Sequence, residues 1–173
     1  LGAYPDSFVA GVSIFGVGDW VTALEVASPA LKASDRIEYG DIREDRWRTF
    51  YRENSPINNA DRIRVPVLYS HGAMDPRIDK AETEVMVRAL RRNGVEAPYI
   101  LFPDEGHGWR KISNQLFYYR YEAEFLARQL GDAGEIGGRT RCHRRQTTRS
   151  TIIFLISAIA LAGFSPLGQV LAQ

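Results

Sequence analysis

Apolar and small residues run almost without a break from residue 8 to 17, Phe-Val-Ala-Gly-Val-Ser-Ile-Phe-Gly-Val. A strand covered on both faces reads this way, as in a parallel sheet lying between helices. A second run, 65–70, holds Pro66 near its start, where a strand tolerates the missing N–H, and leads into the turn-rich loop His71-Gly72-Ala73-Met74-Asp75-Pro76. The pattern then changes period. Ala81, Val85, Met86, Ala89 and Leu90 fall on one helical face, Arg88, Arg91 and Arg92 gather toward the end, and Gly94 is a stop, which predicts a helix over 80–93. A third strand is predicted over 95–102, interrupted by Pro98, and a second loop, Pro103-Asp104-Glu105-Gly106-His107-Gly108-Trp109, follows it. The spacing of Leu116, Tyr119, Phe125, Leu126 and Leu130 predicts a long helix over 113–130, closed by Gly131. Between the first two strands the pattern is mixed, with helical hints at 21–26 and 46–52 and a turn at Ser55-Pro56.

Strand, helix, strand, helix joined by short polar loops is the pattern of an α/β fold with a doubly wound, mostly parallel sheet. In such sheets the functional loops stand at the carboxyl ends of the strands. Two loops here occupy that place, and each carries one residue able to handle protons. Asp75 follows the second strand, and His107 follows the third, 32 residues later. One helix and one strand consume about that distance, so the two side chains are expected at neighbouring strand ends. A carboxylate facing an imidazole fixes its tautomer and stabilises the cation formed when it accepts a proton. Singly, each has a plainer explanation: Asp-Pro commonly starts a turn, and a histidine in a glycine-rich loop is commonly solvated. The order and spacing of the two make the catalytic pairing worth testing. Gly106 and Gly108 suit a loop that passes close to a substrate or adopts positive φ.

Composition sharpens this. The 173 residues are 45% hydrophobic and 25% charged, within the range of folded domains, and their length suits one domain. A net charge of +1 excludes a field strong enough to make nucleic acid the main partner. The single cysteine, Cys142, excludes an internal disulfide, and Cys142-His143 supplies too few ligands for a metal, so neither metal nor cofactor is expected. The near-neutral total conceals an asymmetry. Arg139, Arg141, Arg144, Arg145 and Arg149 outnumber Asp132 and Glu135 in 132–150, while 151–173 carries no charged residue. The chain is therefore expected to divide into a globular part over 1–131, a Gly/Arg-rich linker over 132–150, and an apolar tail over 151–173. Position 1 is Leu, and the two methionines are Met74 and Met86, so a piece of a longer protein is expected.

The segments around both loops carry a family likeness. Asn-Asn-Ala-Asp-Arg-Ile-Arg-Val-Pro-Val-Leu-Tyr-Ser-His-Gly-Ala-Met-Asp-Pro-Arg-Ile (58–78) resembles the acid-bearing segment of the prolyl oligopeptidase family's peptidase domain. Tyr-Ile-Leu-Phe-Pro-Asp-Glu-Gly-His-Gly-Trp (99–109) is similar to its histidine-bearing segment, and 4–20 resembles the stretch after its nucleophile helix. The resemblance spans roughly 1–131. It implies the C-terminal half of an α/β-hydrolase, with a triad in the order Ser, Asp, His. Asp75 would then be the acid and His107 the general base of a serine peptidase acting on peptide substrates. No Gly-x-Ser-x-Gly elbow occurs in the chain; the nearest match, Gly11-Val12-Ser13-Ile14-Phe15-Gly16, is one residue too long, and Ser13 reads as a core hydroxyl. In the family the elbow stands just upstream of the stretch that begins here, so the chain alone is expected to be inactive. An esterase or dienelactone-hydrolase-like member of the same fold, or a non-catalytic or membrane-tethered remnant, are the alternatives. Arg77 could bind a substrate carboxylate and Trp109 could line a side-chain pocket; solvent exposure and core packing, respectively, are the competing roles.

The tail has the anatomy of a secretory signal, with basic residues, a run over 152–164 in which only Ser157 is polar, and a small-residue end. The run falls short of the ~20 residues that cross a bilayer. A fusion of a hydrolase remnant to a signal-like segment, a C-terminal membrane anchor, and a buried amphiphilic helix are the three expectations for it.

Overall fold

The computed structural model describes residues 1–131 and the strand Ile153–Ile156. Strands β1 (Gly11–Ile14), β2 (Val67–Gly72), β3 (Tyr99–Phe102) and β4 (Ile153–Ile156) form one sheet in the order β3-β2-β1-β4. Every pairing is parallel, with Ser13 opposite Tyr69 and Tyr69 opposite Tyr99. Parallel neighbours need crossover connections, and helices supply them. Between β1 and β2 lie α1 (Trp20–Val26), α2 (Pro29–Tyr39), α3 (Asp45–Asn54) and a 3-10 helix over Pro56–Arg62; α4 (Lys80–Arg92) joins β2 to β3, and α5 (Ile112–Leu130) follows β3.

Successive residues of β2 point to opposite faces, and all six are buried. Val67 and Tyr69 join Met86, Val87, Ala89 and Leu90 of α4 in one core. Leu68 joins Ala10, Val12 and Phe125 of α5 in the other. Helices therefore cover both faces of the central strand, which is why its sequence is apolar without alternation. Leu90 and Leu68 are fully buried, each contributing roughly 2 kcal/mol by transfer from water.

The strands are shorter than the apolar runs. The first run, expected over 8–17, is strand only at Gly11–Ile14, because Phe15 turns the chain at φ 52°. The third begins after Pro98, whose carbonyl accepts from Tyr69 N–H but which has no N–H to return. In α4 the buried set is Glu82, Thr83, Met86, Val87, Ala89 and Leu90, while Ala81 is exposed. The helix is rotated from its purely apolar face because Glu82 and Thr83 have polar partners inside: Glu82 Oε2 accepts from Asp19 N–H at 2.8 Å, and Thr83 meets His71. In α5 only Tyr118 and Phe125 are buried, and Leu116 and Tyr119 are exposed. A sheet with short strands meets only a narrow stripe of a 19-residue helix.

The helical hints at 21–26 and 46–52 correspond to α1 and α3. Helix α2 was not anticipated, although Ser28 at its N-cap and Pro29 at its first position are a start signal. The linker 132–150 and the tail expected to be non-globular over 151–173 lie outside the described residues, except that Ile153–Ile156 stands as β4 beside β1. Among the described residues no helix is long and apolar enough to cross a membrane.

Candidate active site

The loops after β2 and β3 are tied together before any side chain is considered. Ala73 N–H donates to Phe102 O at 2.8 Å and Met74 N–H to Glu105 O at 3.0 Å. Their closeness depends on Gly72: a Cβ there would lie 2.3 Å from Gly106 O and 2.4 Å from Glu105 O. The loop carrying His107 doubles back through Gly108, at φ 134°, with Gly108 N–H donating to Gly106 O at 3.0 Å. That conformation suits glycine.

Glu105, which the sequence reading passed over, secures the other end. It is buried, and its carboxylate accepts from Arg110 N–H and Lys111 N–H at 3.0 and 2.9 Å and from Asn114 at 2.8 Å. Those N–H groups stand at the start of α5, where Lys111 offers no side-chain cap, so Glu105 takes over the capping role from the loop. These two backbone hydrogen bonds hold its pKa below the usual carboxylate value. A glutamate two residues before the histidine and seven before a helix start was the available signal.

This frame brings Asp75 and His107 together. His107 Nδ1 lies 2.8 Å from Asp75 Oδ2. An ionised carboxylate only accepts, so Nδ1 carries the proton and Nε2 is the basic nitrogen. The Asp75 side chain has no exposed surface, and that of His107 is 18% exposed, so the acid is hidden behind a base that solvent can reach. Asp75 Oδ1 accepts from Arg77 N–H at 2.8 Å and Ile78 N–H at 3.1 Å. Burial alone pushes the Asp75 pKa up, but hydrogen bonds from His107, His71, Arg77 N–H and Ile78 N–H outweigh it and leave the pKa well below the usual carboxylate range. The arrangement can accept a proton at Nε2 while the anion behind it stabilises the resulting cation.

Phe15 closes the third side. Its ring centroid is 4.7 Å from that of His107, 4.5 Å from Trp109 and 5.6 Å from His71. Left-handed backbone at a phenylalanine costs about 1–2 kcal/mol, and here it carries the ring from the end of β1 to the histidines. Trp109 packs against Phe15, Phe102 and Tyr118. Arg77 donates its backbone N–H to Asp75, and with Ala23, Ala27 and Asp75 it lines a cavity of about 200 Å³. Ser13 lies mid-strand in β1 and is not brought to the pair. Among the described residues no group of three or more His, Cys, Asp or Glu could hold a metal.

A parallel sheet wrapped by helices, with an acid and a histidine on adjacent strand ends, defines the α/β-hydrolase class. Solved structures agree. A puromycin-hydrolyzing peptidase of Mycobacterium tuberculosis superposes with a TM-score of 0.65 at 28% identity, covering 72% of this chain and 19% of that one. A puromycin hydrolase gives 0.67 at 25% identity, covering 75% and 20%. In sequence, the chain is 35% identical over 134 residues to dipeptidyl aminopeptidase BIII of Pseudoxanthomonas mexicana, covering 76% of this chain and 19% of that protein. It is 32% identical over 131 residues to dipeptidyl peptidase family member 6 of Caenorhabditis elegans, covering 73% and 18%. The prolyl oligopeptidase family model matches residues 1–133. The chain belongs to the prolyl oligopeptidase family, whose members are serine peptidases, and it spans about a fifth of the length of these relatives.

Proposed function

We propose that this chain supplies the acid and the general base of a serine peptidase site, with Asp75 as acid and His107 as base, and that the nucleophilic serine comes from sequence outside these 173 residues. The observation that carries this is the 2.8 Å contact between a fully buried Asp75 carboxylate and Nδ1 of a partly exposed His107. With Nδ1–H engaged, Nε2 takes the serine proton as Oγ attacks the peptide carbonyl, then returns it to the leaving amine. A water activated by the same nitrogen releases the acyl group. Asp75 stays ionised throughout and stabilises the imidazolium. In this reading Arg77, which borders the small cavity beside Asp75, would meet a substrate carboxylate, and Trp109, packed against Phe15, would line a side-chain pocket.

Two relatives are named for removing dipeptides, so N-terminal dipeptidyl amides are the first substrates to try on the longer protein. The purified 173-residue chain is expected to take no fluorophosphonate label, and labelling would sink the assignment of the nucleophile to sequence outside it. In a longer protein that contains 1–131 and the elbow, His107→Ala is expected to abolish amide hydrolysis while leaving the fold intact. Cleavage of short acyl esters without peptide amides would favour the esterase alternative.

A further inference from the structure

His71, the last residue but one of β2, has no part in the scheme above, yet it is completely buried against the acid. Its Nε2 lies 3.0 Å from Ile78 O and 3.4 Å from Asp75 Oδ2, and its Nδ1 lies 2.8 Å from Thr83 Oγ1. A carbonyl and a carboxylate both only accept, so Nε2 carries a proton in either charge state of the ring. Thr83 Oγ1 in turn reaches Gly16 O at 3.2 Å. The four elements around the site are thereby linked: the end of β1 through Gly16, β2 through His71, α4 through Thr83, and the acid loop through Asp75 and Ile78.

We propose that His71 is a positioning residue, whose Nε2–H holds Asp75 Oδ2 and Ile78 O in place so that the carboxylate presents a fixed lone pair to His107. The two oxygens of Asp75 are then fully committed. Oδ1 receives two backbone N–H groups, and Oδ2 lies 2.8 Å from His107 Nδ1 and 3.4 Å from His71 Nε2. Without His71 the carboxylate keeps the Oδ1 bonds as an axis, and His107 alone limits its rotation about them. Facing His71 are Asp75 from the acid loop, His107 beyond it, Thr83 from α4, and the Phe15 ring just past β1. Glu82, beside Thr83, is turned to Asp19 N–H instead. His71 is therefore the side chain among these, besides His107, that stands close enough to Oδ2 to donate to it.

This inference rests on Asp75 and His107 acting as acid and base, but its test reads a proton and not turnover, so the two can fail separately. The exchange of His107 Nδ1–H with water is followed by NMR on the 173-residue chain, alongside the backbone amides of Leu68 and Leu90. His71→Leu is expected to speed exchange of the imidazole proton at least about tenfold, the scale of losing one hydrogen bond to a charged group, with the two amides nearly unchanged. His71→Gln, which keeps an N–H near the same place, is expected to recover most of the protection. Should His71→Leu fail to fold, Thr83→Val replaces it and is expected to give a smaller acceleration, about threefold, by freeing the ring's other nitrogen. An unchanged imidazole proton in a folded His71→Leu or Thr83→Val, or equal acceleration of that proton and both amides, overturns the proposal.

Discussion

The excursion between β1 and β2 and the pair of loops after β2 and β3 are built on different physical terms. In the excursion, α1 and α3 gather Val21, Leu24 and Tyr51 into a small core of their own, flanked by Trp20, Tyr39, Ile42 and Trp47. Asp35 of α2 is buried, but the excursion's ion pairs sit outside, Arg43 with Asp41, Arg46 with Glu44 and Arg48 with Glu25, all with solvent-exposed cations. In the loops the reverse holds. Asp75 and Glu105 are buried, and their oxygens accept from backbone N–H groups and from the histidines that face Asp75. A region held by contact area tolerates loss of any one polar pair, whereas a region held by directed bonds to buried charge does not. The excursion touches the frame of the site through few directed bonds, chiefly Glu82 of α4 on Asp19 N–H.

The sharpest way to break this contrast is at Gly72. Gly72→Ala must push apart two carbonyl groups that approach the added carbon to 2.3 and 2.4 Å, and backbone cannot move aside as a side-chain tip can. The expected loss is about 3 kcal/mol of stability, at the upper end of overpacking, read from urea unfolding. A loss below about 1 kcal/mol would mean the loops are less tightly laced than their hydrogen bonds imply.

Asp75→Asn comes next. The folded pKa of Asp75 lies below its unfolded value, so its stabilisation is complete above about pH 4 and disappears as pH falls through the folded pKa. The variant is expected to lose about 2 kcal/mol near neutral pH, the scale of hydrogen bonds to a charged group. Its difference from the parent shrinks on acidification below pH 4. Melting curves between pH 7 and pH 2 check this, and a difference that persists at low pH would assign the loss to packing instead.

At the small end, Arg48→Ala removes an ion pair in which Arg48 and Glu25 are 37% and 46% exposed. Exposed pairs contribute about 0.2–1 kcal/mol, so a shift under about 1 kcal/mol is expected, fading further in added salt. A larger, salt-insensitive shift would mean that the excursion too depends on a directed polar bond.

Legibility in the sequence follows the same division. The apolar runs of β2 and the periodic face of α4 announced a parallel sheet because burial on both faces leaves no room for alternation, and the spacing of Asp75 and His107 placed them on adjacent strand ends because one helix and one strand consume about 32 residues. Family membership was also readable from local motifs, since the two loop segments are continuous in sequence. What the linear chain could not express was every contact that depends on distant segments meeting. Thr83 and Glu82 look like surface positions of a helix until His71 and Asp19 arrive beside them. Glu105 looks like a loop charge until it is seen under the start of α5, and Phe15 looks like a strand residue until its backbone turns. Local periodicity reports which face of an element is apolar. Only tertiary packing decides which polar groups are taken inside with it, because a buried hydrogen bond needs a partner that no neighbouring residue in sequence supplies.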